Sequence, residues 1–116
     1  MTDDDAVDLA LLGELCEQLG GDVVSAIAES YAANSRQLLR IIADRGNDPV
    51  ARRQAAHSLK GASGSVGLAG VARLCRDIET AFRDGGGDVA ESLVARLPQA
   101  IEDGQALLRI HLAMAP

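Results

Sequence analysis

Apolar residues recur along this chain every three or four positions, and each run is bounded by aspartate, glycine or proline. Leu11, Leu12, Leu15 and Leu19 form the first stripe, with Asp8 as candidate cap and Gly20-Gly21 as its stop. A longer run opens at Asp22, carries Val23, Val24, Ile27, Tyr31, Leu38, Leu39 and Ile42, and lasts to Gly46. Asp48-Pro49 marks a third start, because proline at the first helical position gives up no needed N–H and aspartate can cap. That third helix is predicted from Pro49 to about Val66, with Gly67 as its stop. A fourth, Ala69 to Asp84, carries Val71, Leu74, Cys75, Ile78 and Phe82 and ends at Gly85-Gly86-Gly87. Asp88 with Glu91 reads as an aspartate version of a capping box for the last helix, which uses Leu93, Leu97, Ile101, Leu108 and Leu112. Pro98 inside it should kink or divide it.

Long helices with one apolar stripe each, joined by short loops, predict an all-α antiparallel bundle. Residues 1–116 read as one domain, since no linker, repeat or low-complexity tract divides them. Composition agrees with helices. Apolar residues make up 47% of the chain but aromatics only 2%, so its core is aliphatic. The net charge of −6 argues against nucleic acid or an anionic membrane as the main partner. No apolar run approaches a membrane span of about 20 residues. The acidic start MTDDDAVDL lacks the basic and apolar regions of a signal peptide. Cys16 and Cys75 fall at apolar helical positions and read as reduced core thiols, which points to a cytoplasmic home.

The third helix breaks the pattern. At about 100° per residue, Ala55, Leu59, Ala62, Ser63 and Val66 share one side. His57 lies opposite, in a stripe with Arg53, Lys60, Gly61 and Gly64, so an exposed imidazole is expected. Each glycine costs about 1 kcal/mol against alanine in a helix interior. Facing away from the core, Gly61 and Gly64 offer instead a bare surface over which another macromolecule can reach the ring. A lone surface histidine is otherwise a solvated residue, as His111 is expected to be.

HSLKGASGSVG, with His57, Leu59, Lys60, Gly61 and Gly67, closely resembles the motif of the histidine phosphotransfer (HPt) domains of bacterial phosphorelays. The similarity runs on through LCRDIE, Leu74 to Glu79, and back through the Gly-Gly-Asp turn at 20–22 and the Asn47-Asp48 turn, so it covers nearly the whole chain. This resemblance implies an all-α antiparallel four-helix bundle, up-down-up-down, with a short extra N-terminal helix. It implies that His57 accepts a phosphoryl group from the aspartyl phosphate of a response regulator receiver domain and passes it to another receiver. Glu79 matches the family's Gln or Glu that hydrogen-bonds the histidine; its alternative is an i,i+4 pair with Arg83. Lys60 carries over with Gly61, and Arg83 matches a basic residue found in some members. Both cations would offset phosphoryl charge.

A neutral imidazole is a competent nucleophile near pH 7, and a carboxylate on its other nitrogen fixes the tautomer and raises the basicity of the attacking one. No metal cluster or phosphate-cradling loop appears in the sequence. The expected role is a phosphocarrier without a cofactor of its own, with Mg²⁺ and catalytic machinery on the partner receiver. Residues 52–83 hold Arg52, Arg53, Lys60, Arg73, Arg76 and Arg83 against Asp77 and Glu79, a local +4 in a chain of −6. A basic surface around His57 suits an acidic receiver pocket, with Arg53, Lys60, Gly61, Gly64 and Arg76 as the docking residues. The chain is expected to be a monomer, either free-standing or part of a hybrid sensor histidine kinase whose cytoplasmic portion would contain it. Two other readings stay open: a non-catalytic adaptor bundle, and the phosphorylated domain of a chemotaxis-type kinase.

Overall fold

In the computed structural model, which describes residues 7–114, the described chain is helical with no strand. Its elements are α1 (Leu9–Leu19), α2 (Gly21–Ala43), α3 (Pro49–Ser65), α4 (Ala69–Arg83), α5 (Gly87–Val94) and α6 (Leu97–Met114). The long helices α2, α3, α4 and α6 make the four-helix bundle, and α1 is the short extra helix at its N-terminal side. Two of the starts use the aspartate caps that the sequence offers. Asp8 Oδ1 accepts from Leu11 N at 3.0 Å to begin α1, and Asp48 Oδ1 accepts from Val50 N at 2.9 Å to begin α3.

The bundle core is aliphatic. Ile42, Leu59, Leu68, Ile78, Leu97 and Leu108 are fully buried large side chains, with Cys75 among them. Tyr31 carries a polar group into it, and its hydroxyl meets Ser63 Oγ at 2.8 Å inside the bundle. That bond supplies the partner a buried hydroxyl requires. Burial pushes the Tyr31 phenol up to about 12, so it stays protonated.

The turn between α3 and α4 is where α1 attaches. Gly67 takes φ +82°, and its carbonyl accepts from Asp8 N at 2.7 Å. A Cβ there would sit 3.3 Å from the Asp8 carbonyl oxygen, so glycine serves both the left-handed turn and the close approach. The capping residue of α1 is thereby tied to the end of the motif helix.

Three expectations need correction. The last helix is divided, as Pro98 allowed, but Asp88 and Glu91 do not form a capping box. α5 begins at Gly87 with no side-chain cap bond, because the Glu91 carboxylate is taken by Arg52, with both contacts at 2.7 Å. Arg52 itself is not part of a basic surface: it is 3% exposed and faces the core with Ala55, Ala56, Leu59 and Ser63. One residue is about 100° of helix, enough to separate Arg52 from Arg53. Finally, Leu19, Val23 and Ile27 keep 45%, 48% and 36% exposure, since at this end of the bundle α1 and α6 cover α2 only in part.

Candidate functional site

The site grows from the two faces of α3. With the apolar face committed to the core, His57 projects outward and its side chain is 65% exposed. Gly61 and Gly64 follow it on the outer face, and a Cβ added at either would meet nothing within 4 Å. The uncluttered strip read from the sequence is present.

α4 runs antiparallel beside α3 and brings Glu79 level with the histidine. Glu79 Oε2 lies 2.9 Å from His57 Nδ1, and Glu79 Oε1 accepts from Lys60 Nζ at 2.8 Å. Each carboxylate oxygen thus has its own nitrogen. The Glu79 carboxyl is held below its ordinary value of 4.5, first by the Lys60 hydrogen bond, against the cost of desolvation, and then by the His57 bond. An ionised carboxylate can only accept, so Nδ1 must carry the ring proton and Nε2 is left with a free lone pair toward solvent. Arg83 pairs instead with Asp84, at 3.4 Å, so the geometry joins Glu79 to the ring and not to Arg83.

Beside the ring lies an open concavity of about 380 Å³, lined by Arg53, Gln54, His57, Ser58, Glu79 and Arg83. Of the other residues singled out, Arg76 stands on the outer stripe of α4, 61% exposed and 3.5 Å from Asp77. Lys60 is one-third exposed, its ammonium turned onto Glu79. His57, Glu79, Lys60, Arg53 and Arg83 are therefore gathered in one place, while Arg52 is withdrawn from it.

Sequence reasoning missed what Arg52 does. Its Nε donates to the Ile42 carbonyl at 2.7 Å, its two terminal nitrogens grip Glu91 as a fork, and its guanidinium stacks 4.8 Å from the Phe82 ring centroid. The residue thus ties α3 to the end of α2, to α4 and to α5 from a position five residues before the histidine. The available signal was its spacing: Arg52, Ala55, Ala56 and Leu59 follow one helical face.

Among the described residues no group of three or more His, Cys, Asp or Glu side chains could hold a metal ion. Nor is any described helix long and apolar enough to cross a membrane. Cys16 and Cys75 are free thiols, the first half-buried and the second buried.

Fold and site together define a helical bundle that presents one carboxylate-held imidazole on its surface. The family model for the Hpt domain matches residues 9–106, and the chain belongs to that family. Among solved structures, the fold is similar to histidine-containing phosphotransfer protein B (HptB) from Pseudomonas aeruginosa PAO1, with a TM-score of 0.83, 23% identity, and coverage of 96% of this chain and 97% of that one. It is also similar to the histidine-containing phosphotransfer protein ZmHP2 from maize, with a TM-score of 0.69, 20% identity, and coverage of 98% and 89%. At these identities the likeness is one of fold. Comparison with curated protein sequences gives no match.

Proposed function

We propose that this chain is a histidine-containing phosphotransfer protein or domain of a two-component phosphorelay, with His57 as the phosphoacceptor. The single observation that carries this reading is an exposed ring whose Nδ1 is bound by an ionised carboxylate at 2.9 Å. The Nε2 lone pair attacks the phosphorus of a receiver's aspartyl phosphate. The P–O bond to that aspartate breaks, and its electron pair returns to the departing carboxylate. The ring gains positive charge while Nδ1 keeps its proton, so Glu79 stabilises what forms. Transfer onward to a second receiver reverses the same step.

In this reading the chain is a phosphocarrier and not an enzyme. The metal ion and the acidic pocket belong to the receiver, and Mg²⁺ there neutralises charge on the transferring group. The whole chain acts as one domain and as a monomer in the cytoplasm, alone or as the cytoplasmic portion of a hybrid sensor kinase. Arg53, Lys60, Gly61, Gly64 and Arg76 face the partner. The test is to mix the protein with several phosphorylated receivers and follow acid-labile phosphate. Wild type is expected to take label and His57→Gln to take none. If the two accept equally poorly from every receiver, the proposal fails, and full biological activity of His57→Gln would favour an adaptor that works by binding alone.

A further inference from the structure

The cations around His57 are not equivalent. Lys60 is committed to Glu79 at 2.8 Å, and its positive charge is spent against that carboxylate. Arg53 makes no ion pair or hydrogen bond among the described residues. Among the described residues Arg83 has only Asp84, at 3.4 Å, and those two side chains are 60% and 64% exposed, where pairing is weak.

Two features put both arginines on the side where the ring's product would sit. Helical side chains lean toward the helix N-terminus, so the imidazole is inclined over the turn that holds Arg53. Antiparallel pairing that sets His57 level with Glu79 sets Arg53, one turn back on α3, level with Arg83, one turn on along α4. Both arginines line the same concavity as the ring, while Lys60, Gly61 and Gly64 do not.

Charge counting points the same way. Lys60 and Glu79 cancel. A phosphoryl group on Nε2 brings about two negative charges near pH 7, and the ring that keeps its Nδ1 proton offsets one of them. Arg53, with Arg83 set against its neighbour Asp84, balances the remaining one, and each guanidinium presents a fork that matches phosphate oxygens.

We infer that Arg53 and Arg83 form a two-arginine cradle for the phosphoryl group on His57, and that Lys60 is a positioning residue which acts through Glu79 instead of contacting the phosphate. This rests on His57 as phosphoacceptor and divides the work among its neighbours. The charged groups facing the phosphoryl group are Arg53 and Lys60 from α3, and Glu79 and Arg83, with Asp84 behind it, from α4.

The experiment loads the protein without a receiver, so that docking cannot contribute. Zwitterionic phosphoramidate serves as donor: Nε2 forms the new N–P bond, the donor's P–N bond breaks, and ammonia leaves with the electron pair. Phosphorus NMR then follows the second ionisation of the phosphoryl group with pH in wild type, Arg53→Gln, Arg83→Gln and Lys60→Gln. Circular dichroism melts verify that each variant is folded. Loss of either arginine is expected to raise that pKa by about half a unit, because the dianion loses a cation at a partly solvated site. Lys60→Gln is expected to leave it within about a third of that shift, while nitrogen NMR of the unphosphorylated ring shows loss of the single Nδ1–H tautomer.

If both arginine variants titrate like wild type and only receiver affinity falls, they are docking residues and the inference is wrong. It is also wrong if Lys60→Gln moves the phosphoryl pKa as far as Arg53→Gln does. If wild type takes no label from phosphoramidate or from any phosphorylated receiver, the proposed function itself falls and carries the inference with it.

Discussion

An ionised Glu79 does two things to the imidazole across from it: it selects the tautomer, and it makes room for positive charge during transfer. Glutamine at this position could accept from Nδ1–H or donate to a bare Nδ1, so it would hold the ring without choosing a tautomer. Glu79→Gln is therefore expected to fold normally but to accept phosphate roughly tenfold more slowly. Rates against one phosphorylated receiver, with nitrogen NMR of the ring, check this; an unchanged rate with a mixed tautomer would show that tautomer choice does not govern transfer. Gly61 makes the complementary case. A Cβ there meets no atom within 4 Å, and glycine in a helix costs about 1 kcal/mol. Gly61→Gln should raise the thermal midpoint slightly while covering the strip next to His57, so that transfer from a receiver falls sharply. Loading by phosphoramidate should be spared. Equal transfer by the two proteins would remove this account of the glycine.

Among the helices, the Arg52–Glu91 fork joins α3 to α5 through two charge-assisted hydrogen bonds. Arg52 is 3% exposed and Glu91 22%, with two contacts of 2.7 Å, so truncating the arginine leaves the half-buried carboxylate only the exposed Arg45, at 3.5 Å, and takes the donor from the Ile42 carbonyl. Arg52→Ala is expected to lower unfolding free energy by about 3 kcal/mol at neutral pH, measured by urea titration. Glu91 is held below its ordinary 4.5, mainly by the Arg52 hydrogen bonds. A depressed carboxylate contributes stability that is complete above the unfolded-state value and is lost as pH falls through the folded-state one. The gap between wild type and Arg52→Ala should therefore hold from neutral pH down to about 4.5 and narrow below it. A gap that stayed constant into strong acid would mean that packing on Phe82, and not the ion pair, carries the effect. This link was illegible in sequence because it joins residues 39 positions apart, and Glu91 looked like a local cap for its own helix. Gly104 was silent for a related reason. It lies in the middle of α6, and a Cβ there would come within 3.3 Å of Leu68, so it lets α6 lie close to the start of α4. Helix phase alone names no partner.

For the whole bundle, Cys75 is a built-in reporter. It is fully buried, and burial pushes its thiol up to about 12, so in the folded state it is both inaccessible and protonated. An aromatic disulfide reagent should modify half-buried Cys16 readily. Cys75 should react only as fast as the core opens, and its rate should rise in step with Arg52→Ala and with urea. If Cys75 reacts as quickly as Cys16 in native buffer, the core described here is not the one present in solution.

The boundaries of the first four helices, the all-helical class, the outward face of His57 and the bare glycine strip were readable from residue spacing. A helix's periodicity is a local property that each segment carries with it, and the motif around the histidine is local too. Tertiary structure alone decided that Glu79 reaches the ring while Arg83 turns to Asp84, that Lys60 spends its charge on Glu79, and that Arg52 leaves the surface for Glu91. Those outcomes depend on which turn of one helix lies level with which turn of another, and that register is set by the packing of the entire core.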